Sequence, residues 1–260
     1  MQRDRYIGIC YGPAGVGKTL SARRYAHWDH FEKFREVEPF KRLGKPPAFL
    51  GKADTVFYTA DVLNSAVRMV DQIKRLKIDL HELAYGVQLA KQADISTLQE
   101  NIYRRQWLDT YVKSHDEHCK LLIVDEADRL KISTFEQLRD FYDRGSCGLV
   151  LIGMPGIEKK LSRYPQFYSR IGFSHEFRPL SPQELLFIIE RHFKKLGLDI
   201  SPDDFTDHEA VTAIVHTTRG NFRLFHRLFT QIKRVMQVND AKTVTREIVQ
   251  AARDCLVIGV

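Results

Sequence analysis

The segment GPAGVGKT, Gly12 to Thr19, matches the pattern G-x-x-x-x-G-K-[ST] close to the start of the chain. In this pattern the glycines let the backbone wrap around phosphates at the N-terminus of a helix, whose dipole favours anions. Such a loop requires a strand before it and a helix after it. The chain supplies both, because RYIGICYG precedes the loop with strand character and TLSARRYAHWDHFEKF follows it with helical spacing. The sequence therefore predicts a phosphate-binding loop.

Strand-like and helix-like segments alternate over the next 150 or so residues. Further strands are predicted at TVFYTAD, KLLIVDEAD, CGLVLIGMPG and GFSHEFRPL, and helices at VLNSAVRMVDQIKRLK, STLQENIYRRQWLDTYVKS and TFEQLRDFYDRG. Five strands alternating with helices predict an α/β fold with a doubly wound parallel five-stranded sheet. From residue 180 only helical periods follow, and Ser181, Pro182 and Glu184 form a helix-capping pattern. We predict a P-loop core, which carries the phosphate-binding loop, at 1–179 and a helical lid at 180–260.

Composition excludes several classes of protein. Hydrophobic residues make up 43% of the chain, and the apolar runs are far shorter than a membrane span. We therefore expect a cytoplasmic protein with no membrane partner. The four cysteines, Cys10, Cys119, Cys147 and Cys255, are far apart and form no C-x-x-C pair, which indicates neither a disulfide framework nor a cysteine zinc site. The formal charge of +7 favours a polyanionic partner.

The loop and the third predicted strand carry complementary chemistry. Lys18 is expected to reach the β- and γ-phosphates, and Thr19 to hold Mg²⁺. Asp125 ends the strand in LLIVDEAD, where its carboxylate can accept a hydrogen bond from magnesium-bound water. Glu126 follows it and can polarise the water that attacks the γ-phosphate. The residues expected to contact the nucleotide are Gly12, Pro13, Ala14, Gly15, Val16, Gly17, Lys18, Thr19 and Leu20.

Phosphoryl transfer also needs positive charge at the γ-phosphate. Arg170 in FYSRIGFSHEF precedes the last predicted strand, and Arg223 in TRGNFRLF lies in the first turn of a predicted lid helix. By spacing alone, either residue could instead be an ordinary surface arginine.

The segments GPAGVGKT, LLIVDEADRLKISTFEQLRDFYDRGSCGLVLIGMPGIEKKL, YSRI and GNFRLFHRLF together resemble an AAA+ ATPase of the initiator-like group. More narrowly they resemble the TniB/TnsC and Mu B target-selection proteins of DNA transposons. The resemblance implies ATP and Mg²⁺ as cofactors, Asp125 and Glu126 as the Walker B pair, Arg170 as the finger that reaches a neighbouring subunit, and Arg223 as the sensor arginine. It also implies a homo-oligomeric ring or helical filament on duplex DNA, a transposase and a target-selection factor as partners, and disassembly on hydrolysis.

Two positions depart from the family pattern. Met154 in LIGMPG stands where a polar sensor residue is usual, and a thioether cannot donate a hydrogen bond to the γ-phosphate. Slow hydrolysis or a substitute residue is expected. The chain also begins only a few residues before the first strand, which leaves the contacts that select adenine open. Arg163 lies in the same segment as Arg170 and is an alternative finger.

The resemblance places the DNA-facing elements after the second strand, in DVLNSAVRMVDQIKRLKIDL. There Asn64, Arg68, Lys74, Arg75 and Lys77 are expected to track a phosphate backbone without reading bases. A charge run of this kind is more often only a solvated helix face. Arg104 and Arg105 in IYRRQW are a second, weaker candidate.

Three other functions remain open from the sequence. A helicase loader or replication initiator has the same fold, secretion and signalling ATPases use the same machinery as a switch, and P-loop kinases share the loop. The adjacent Asp125 and Glu126 and the four predicted lid helices favour hydrolysis over a kinase.

Overall fold

In a computed structural model of the chain, the described residues are 6–35, 47–62, 65–92, 118–195 and 205–256. Five strands form one sheet in the order β2-β3-β4-β1-β5, and all four neighbouring pairs run parallel. The strands are β1 (Ile7–Tyr11), β2 (Thr55–Thr59), β3 (Leu121–Asp125), β4 (Gly148–Gly153) and β5 (Ile171–Glu176). This confirms the predicted α/β fold with a five-stranded parallel sheet.

The described helices alternate with the strands and then follow one another. Those between the strands are α1 (Lys18–Tyr25), α2 (Trp28–Arg35), α3 (Ala66–Gln92), α4 (Ile132–Arg144), α5 (Ile157–Ser162) and α6 (Pro165–Tyr168). Those after the sheet are α7 (Pro182–Lys195), α8 (Phe205–Thr218), α9 (Phe222–Val238) and α10 (Arg246–Asp254). Short 3₁₀ turns lie at Ala48–Lys52 and Ala127–Arg129. Within the described ranges, no helix has the length and apolar character needed to cross a membrane.

The predicted helix after the loop is two helices, because the chain turns at His27, whose φ is 51°. The turn directs Trp28, Phe31 and Phe34 of α2 into the core, where all three are buried. Helix α3 extends well beyond its predicted end at residue 77. The helix predicted at 96–114 lies outside the described residues.

The chain divides into two compact units. The first unit comprises residues 1–11 and 18–176, and its core packs both faces of the sheet. Strand β3 shows that this sheet is covered on both sides, since four of its five residues are buried. Because β1 and β3 both run parallel to β4, their carboxyl ends lie at the same end of the sheet.

The second unit comprises residues 177–260 together with Gly12–Gly17, the tip of the phosphate loop. Its core is formed by apolar residues of α7 to α10, among them Leu185, Ile214, Phe225 and Val249. The predicted capping pattern is present at the start of α7: Glu184 N–H donates to Ser181 Oγ at 3.3 Å, and Ser181 N–H donates to the Glu184 carboxylate at 2.8 Å. These bonds lower the pKa of Glu184.

Candidate nucleotide-binding and hydrolysis site

Thr19 and Asp125 meet at the carboxyl end of the sheet. Strand β3 delivers Asp125, which is 3% exposed, and the first turn of α1 delivers Thr19. The Thr19 hydroxyl donates to Asp125 Oδ2 at 2.8 Å, although 106 residues separate the two. A hydroxyl and a carboxylate in contact fit Mg²⁺, which binds few protein oxygens and keeps waters and phosphate oxygens as its other ligands. The side chains predicted to hold the metal are therefore neighbours.

Glu126 follows Asp125 with a left-handed backbone, at φ 56° and ψ 35°. This conformation is uncommon for a residue with a side chain and is often found at functional sites. Glu126 N–H donates to Asp125 Oδ1 at 2.9 Å, and this bond helps to hold the turn. The turn keeps the Glu126 side chain partly exposed, where its carboxylate lies 3.4 Å from Arg129 Nη2. Arg129 also donates to the carbonyl of Ala60 at 3.3 Å, so it links the acid to the segment after β2.

The glycines of the loop are required for two different reasons. Gly17 has φ 99°, while a Cβ there would meet no atom within 4 Å, so the backbone conformation alone demands glycine. Gly12 is required by close packing inside the second unit, whereas Gly15 is required both by its backbone conformation, with φ 85°, and by close packing. A Cβ on Gly12 would lie 2.2 Å from the Phe177 carbonyl oxygen, and one on Gly15 would lie 2.3 Å from Asn221 Oδ1.

The other predicted contact residues surround these positions. Pro13, Val16, Lys18 and Leu20 are half-buried and Ala14 is exposed, so none of them belongs to the deep core. Nothing in the structure tests their contacts with a nucleotide, and these contacts stay predictions.

Met154 occupies the position after β4 and is 38% exposed. Its backbone N–H donates to Asp128 Oδ1 at 3.0 Å. Lys160 supports the same turn by donating to the carbonyls of Asp128 and Leu130 at 2.8 and 2.7 Å. Asp128 thus ties the end of β4 to the acidic motif after β3, a role that the sequence reasoning missed. Its position three residues after Asp125 was the available signal.

The three arginine candidates differ in how they are held. Arg170 forms a bidentate pair with Asp143, with Nε to Oδ1 at 2.6 Å and Nη2 to Oδ2 at 2.7 Å. This hydrogen bonding raises the pKa of Arg170. Arg163 is exposed, and within the described part of the chain no hydrogen bond or ion pair of its side chain is found. Arg223 is exposed in the first turn of α9, where its backbone N–H donates to the Gly15 carbonyl at 3.0 Å.

The predicted DNA-facing residues on α3 do not share one surface. Arg68, Lys74 and Arg75 are exposed, with the acidic Asp71 exposed among them. Lys77 is 1% exposed, so the prediction that it contacts DNA was wrong. It lies four residues after Ile73 and three before Leu80, both fully buried, and this spacing turns it into the core. Asn64, Arg104 and Arg105 lie outside the described residues.

The buried Lys77 belongs to a cluster at the amino ends of β3 and β4. Its Nζ lies 4.4 Å from the centroid of the Phe141 ring, and Cys119 and Cys147, each 1% exposed, are its thiol neighbours. The Cys119 thiol itself donates to the Leu121 carbonyl at 3.4 Å. Interaction with the Cys119 side chain and the charge of Lys77 lower the pKa of Cys147 to about 6, although burial alone would raise it. Interaction with Cys147 and burial raise the pKa of Cys119.

A glycine-rich loop between a parallel strand and a helix, with an Asp-Glu pair ending the third strand, defines a P-loop NTPase of the AAA+ type. Comparison with known protein families agrees with this class: the AAA domain model matches residues 1–161. The chain belongs to the AAA domain family and is an ATPase. It is also 43% identical over 257 residues to a "Potential ATP-binding protein" of Staphylococcus aureus, covering 98% of this chain and 90% of that one.

Solved structures share the fold. A Thermotoga maritima RuvB structure, described as a Holliday junction branch migration motor, matches with a TM-score of 0.57 at 18% identity, covering 98% of this chain and 63% of its own. The ADP form of the Aeropyrum pernix ORC2 protein matches with a TM-score of 0.56 at 14% identity, covering 96% and 63%. The chain thus spans a little under two thirds of these structures. At such identities the likeness establishes the fold.

Proposed function

We propose that this protein is an ATP-dependent switch that assembles on duplex DNA, recruits or activates a transposase, and disassembles when ATP is hydrolysed. The observation that carries the ATP part is the contact of Thr19 with Asp125 beside the strained Glu126. The transposition part is supported by the sequence resemblance to the TniB/TnsC and Mu B proteins.

Each residue at the edge of the sheet has a distinct role in hydrolysis. The Thr19 hydroxyl would bind Mg²⁺ directly, and the buried Asp125 carboxylate would accept hydrogen bonds from metal-bound water. Lys18 would neutralise the β- and γ-phosphates. Glu126 is partly exposed and able to orient the attacking water. Mg²⁺, when bound, supplies charge to stabilise the leaving phosphate oxygens.

A neighbouring subunit would complete the site with an arginine. The structure offers two exposed or half-exposed candidates in one segment, Arg163 and Arg170. Arg163 has no side-chain hydrogen bond or ion pair among the described residues, whereas Arg170 would have to exchange or share its bidentate pair with Asp143. Because a charge-assisted bidentate pair is strong for a surface contact, Arg163 would reach a neighbouring nucleotide at a lower energetic cost. Arg170 is the arginine that the resemblance implies.

The basic residues on the exposed side of α3 support binding to a polyanion. Arg68, Lys74 and Arg75 lie within two turns of one helix and, with Asp71 exposed among them, give each subunit a small surface with an excess of positive charge. Contacts of this kind are individually weak, yet they add when subunits repeat along one polymer. RuvB, which has a similar fold, is described as a motor acting on Holliday junctions, which makes DNA a reasonable polyanion to test.

Charge reversal at this surface tests DNA binding. The variant Arg68→Glu/Lys74→Glu/Arg75→Glu is compared with Arg227→Glu/Lys233→Glu/Arg234→Glu, which reverses three exposed charges at the same spacing on α9. With a non-hydrolysable ATP analogue, we expect the first variant to bind duplex DNA of arbitrary sequence at least about tenfold more weakly. The α9 control should bind like the wild type. Equal loss in both variants, or loss only in the control, would remove the α3 surface from the proposal.

Electron microscopy of the wild type tests assembly. We expect rings or filaments that require both the ATP analogue and DNA. Monomers unaffected by DNA would contradict the proposal and favour a secretion or signalling switch. If assembly is found, stimulation of a transposase separates the proposed function from a helicase loader, which would respond to a helicase instead.

A further inference from the structure

The side chain of Asn221 forms two hydrogen bonds within the second unit, one to helix α9 and one to the phosphate loop. It is the N-cap of α9, and its Oδ1 accepts from Leu224 N–H at 3.1 Å. Its Nδ2 donates to the carbonyl of Ala14, in the phosphate loop, at 3.3 Å. A helix cap needs only the oxygen of this side chain. The amide nitrogen is therefore available for a second task, and the structure directs it at the loop.

A second bond joins the same two segments. Arg223 N–H donates to the Gly15 carbonyl at 3.0 Å. The first residues of α9 therefore hold two successive carbonyl groups of the phosphate loop, those of Ala14 and Gly15. The approach is close, since a Cβ on Gly15 would fall 2.3 Å from Asn221 Oδ1.

The turn that presents Asn221 is itself fixed. Arg219 and Gly220 both have left-handed backbones, with φ 46° and 76°. Leu180 N–H donates to the Gly220 carbonyl at 2.9 Å, and a Cβ on Gly220 would lie 2.3 Å from the Leu180 carbonyl oxygen. Asn221 N–H closes the turn by donating a hydrogen bond to the Thr218 carbonyl at 2.8 Å. With so little freedom in this turn, the side chain of Asn221 reaches the loop from a defined position.

Fixing these carbonyls also fixes the amides that share their peptide planes. A trans peptide is planar, and its C=O and N–H groups point in opposite directions. The Ala14 carbonyl belongs to the same plane as the N–H of Gly15, and the Gly15 carbonyl to the same plane as the N–H of Val16. In a phosphate-binding loop the backbone N–H groups face the phosphates. Holding the carbonyls from one side therefore aims the N–H groups to the other.

We propose that Asn221 is a positioning residue for nucleotide binding: through its side-chain amide and the helix it caps, it orients the N–H groups of Gly15 and Val16 toward the phosphates of ATP. The proposal rests on ATP being the ligand of the loop. It predicts that losing the amide donor weakens nucleotide binding even when the helix cap is kept.

The test compares two substitutions at this position. Asn221→Asp keeps an oxygen to cap Leu224, because aspartate and asparagine are similarly good N-caps, but places a carboxylate oxygen against the Ala14 carbonyl. Asn221→Ala removes both bonds. A matched control is Thr245→Ala, which removes the cap of α10, where Thr245 Oγ1 accepts from Ile248 N–H at 3.4 Å.

The readouts are the Kd of a fluorescent ATP analogue, the KM and kcat of ATPase activity, and the thermal midpoint. For Asn221→Asp we expect Kd and KM to rise about tenfold with kcat nearly unchanged, because the loop binds phosphates alike before and during reaction. Its thermal midpoint should stay near that of the wild type. Thr245→Ala should lower the midpoint without changing Kd.

Wild-type Kd and KM in Asn221→Asp would overturn the proposal, and a defect confined to Asn221→Ala would reduce the residue to a helix cap. Failure of the proposed function is recognised separately. A wild type that hydrolyses ATP but never assembles on DNA would contradict the proposed function and leave the nucleotide measurements on Asn221 readable.

Discussion

Two groups of residues flank strands β3 and β4, one at the carboxyl ends and one at the amino ends, and their surroundings differ. At the carboxyl ends, Asp125, Glu126 and Met154 adjoin a partly exposed edge, and Glu126 occupies a strained backbone conformation. At the amino ends, Cys119 and Cys147 are buried with Lys77. The first cluster keeps oxygen atoms available for a ligand at the cost of strain, whereas the second satisfies its charges internally. We therefore expect changes at the carboxyl ends to affect catalysis and changes at the amino ends to affect stability.

The largest effect is expected from Asp125→Asn. The substitution keeps the shape of the side chain but removes the charge that would hold magnesium-bound water. We expect the steady-state ATPase rate to fall about 100-fold or more, with little change in the free energy of unfolding. The control is Asp54→Asn, which removes an acid just before β2, at the opposite edge of the sheet. A similar loss of rate in the control would contradict the distinction between the two edges.

The next effect is expected at the buried cluster. Cys147→Ser replaces an acidic thiol, which can carry negative charge beside the Lys77 ammonium, by a hydroxyl that stays neutral. We expect the free energy of unfolding, measured in urea, to fall by about 2–4 kcal/mol. Adding Lys77→Met removes the buried charge and should restore much of this loss. The ATPase rate per folded molecule should not change in either variant.

A double variant less stable than Cys147→Ser alone would show that Lys77 is not stabilised by charge. The exposed Cys255→Ser serves as the control for loss of a thiol.

A smaller effect is the dependence of stability on pH. The pKa of Cys147 is about 6 in the folded protein, below the usual value of about 8.5 for an unfolded chain. Because the folded pKa is lowered, the unfolded state binds more protons between these values, and stability rises with pH across this window. The slope is at most about 1.4 kcal/mol per pH unit. The raised pKa of Cys119 acts in the opposite direction only above this window.

Urea unfolding at several pH values between 6 and 8.5 checks this dependence. Cys147→Ser should flatten the profile relative to Cys255→Ser. An identical slope in both would place the titrating group elsewhere.

The clusters at the two ends of the strands also differ in how well they could be predicted from the sequence. The meeting of Thr19 with the acidic pair at the carboxyl ends of the strands was predictable, because each motif is local and parallel strands bring their carboxyl ends together. The contact of Thr19 with Asp125 follows from that geometry. The cluster at the amino ends was missed, since the proximity of the free thiols of Cys119 and Cys147 depends on strand order, which no local pattern specifies.

The error at Lys77 has a different origin. Its helical position relative to Ile73 and Leu80 indicated the inner face, but its charge and its basic neighbours suggested a solvated one. The groups that surround the Lys77 ammonium, the Phe141 ring and the two thiols, come from distant segments of the chain. The break at His27 was not predictable either, because no glycine or proline marks it and the packing of Trp28 and Phe31 decides where the helix stops. The link of Asn221 to the loop is likewise a contact across 207 residues.

The assignment of Glu126 as the residue that polarises the attacking water is tested most directly by the ATPase rate and ATP affinity of Glu126→Gln. The amide keeps the size of the side chain but cannot polarise water as a carboxylate can. We predict that the variant binds ATP with wild-type affinity, hydrolyses it at least about 100-fold more slowly, and accumulates in an ATP-bound oligomer. An unchanged rate of hydrolysis would contradict the assignment of the catalytic edge.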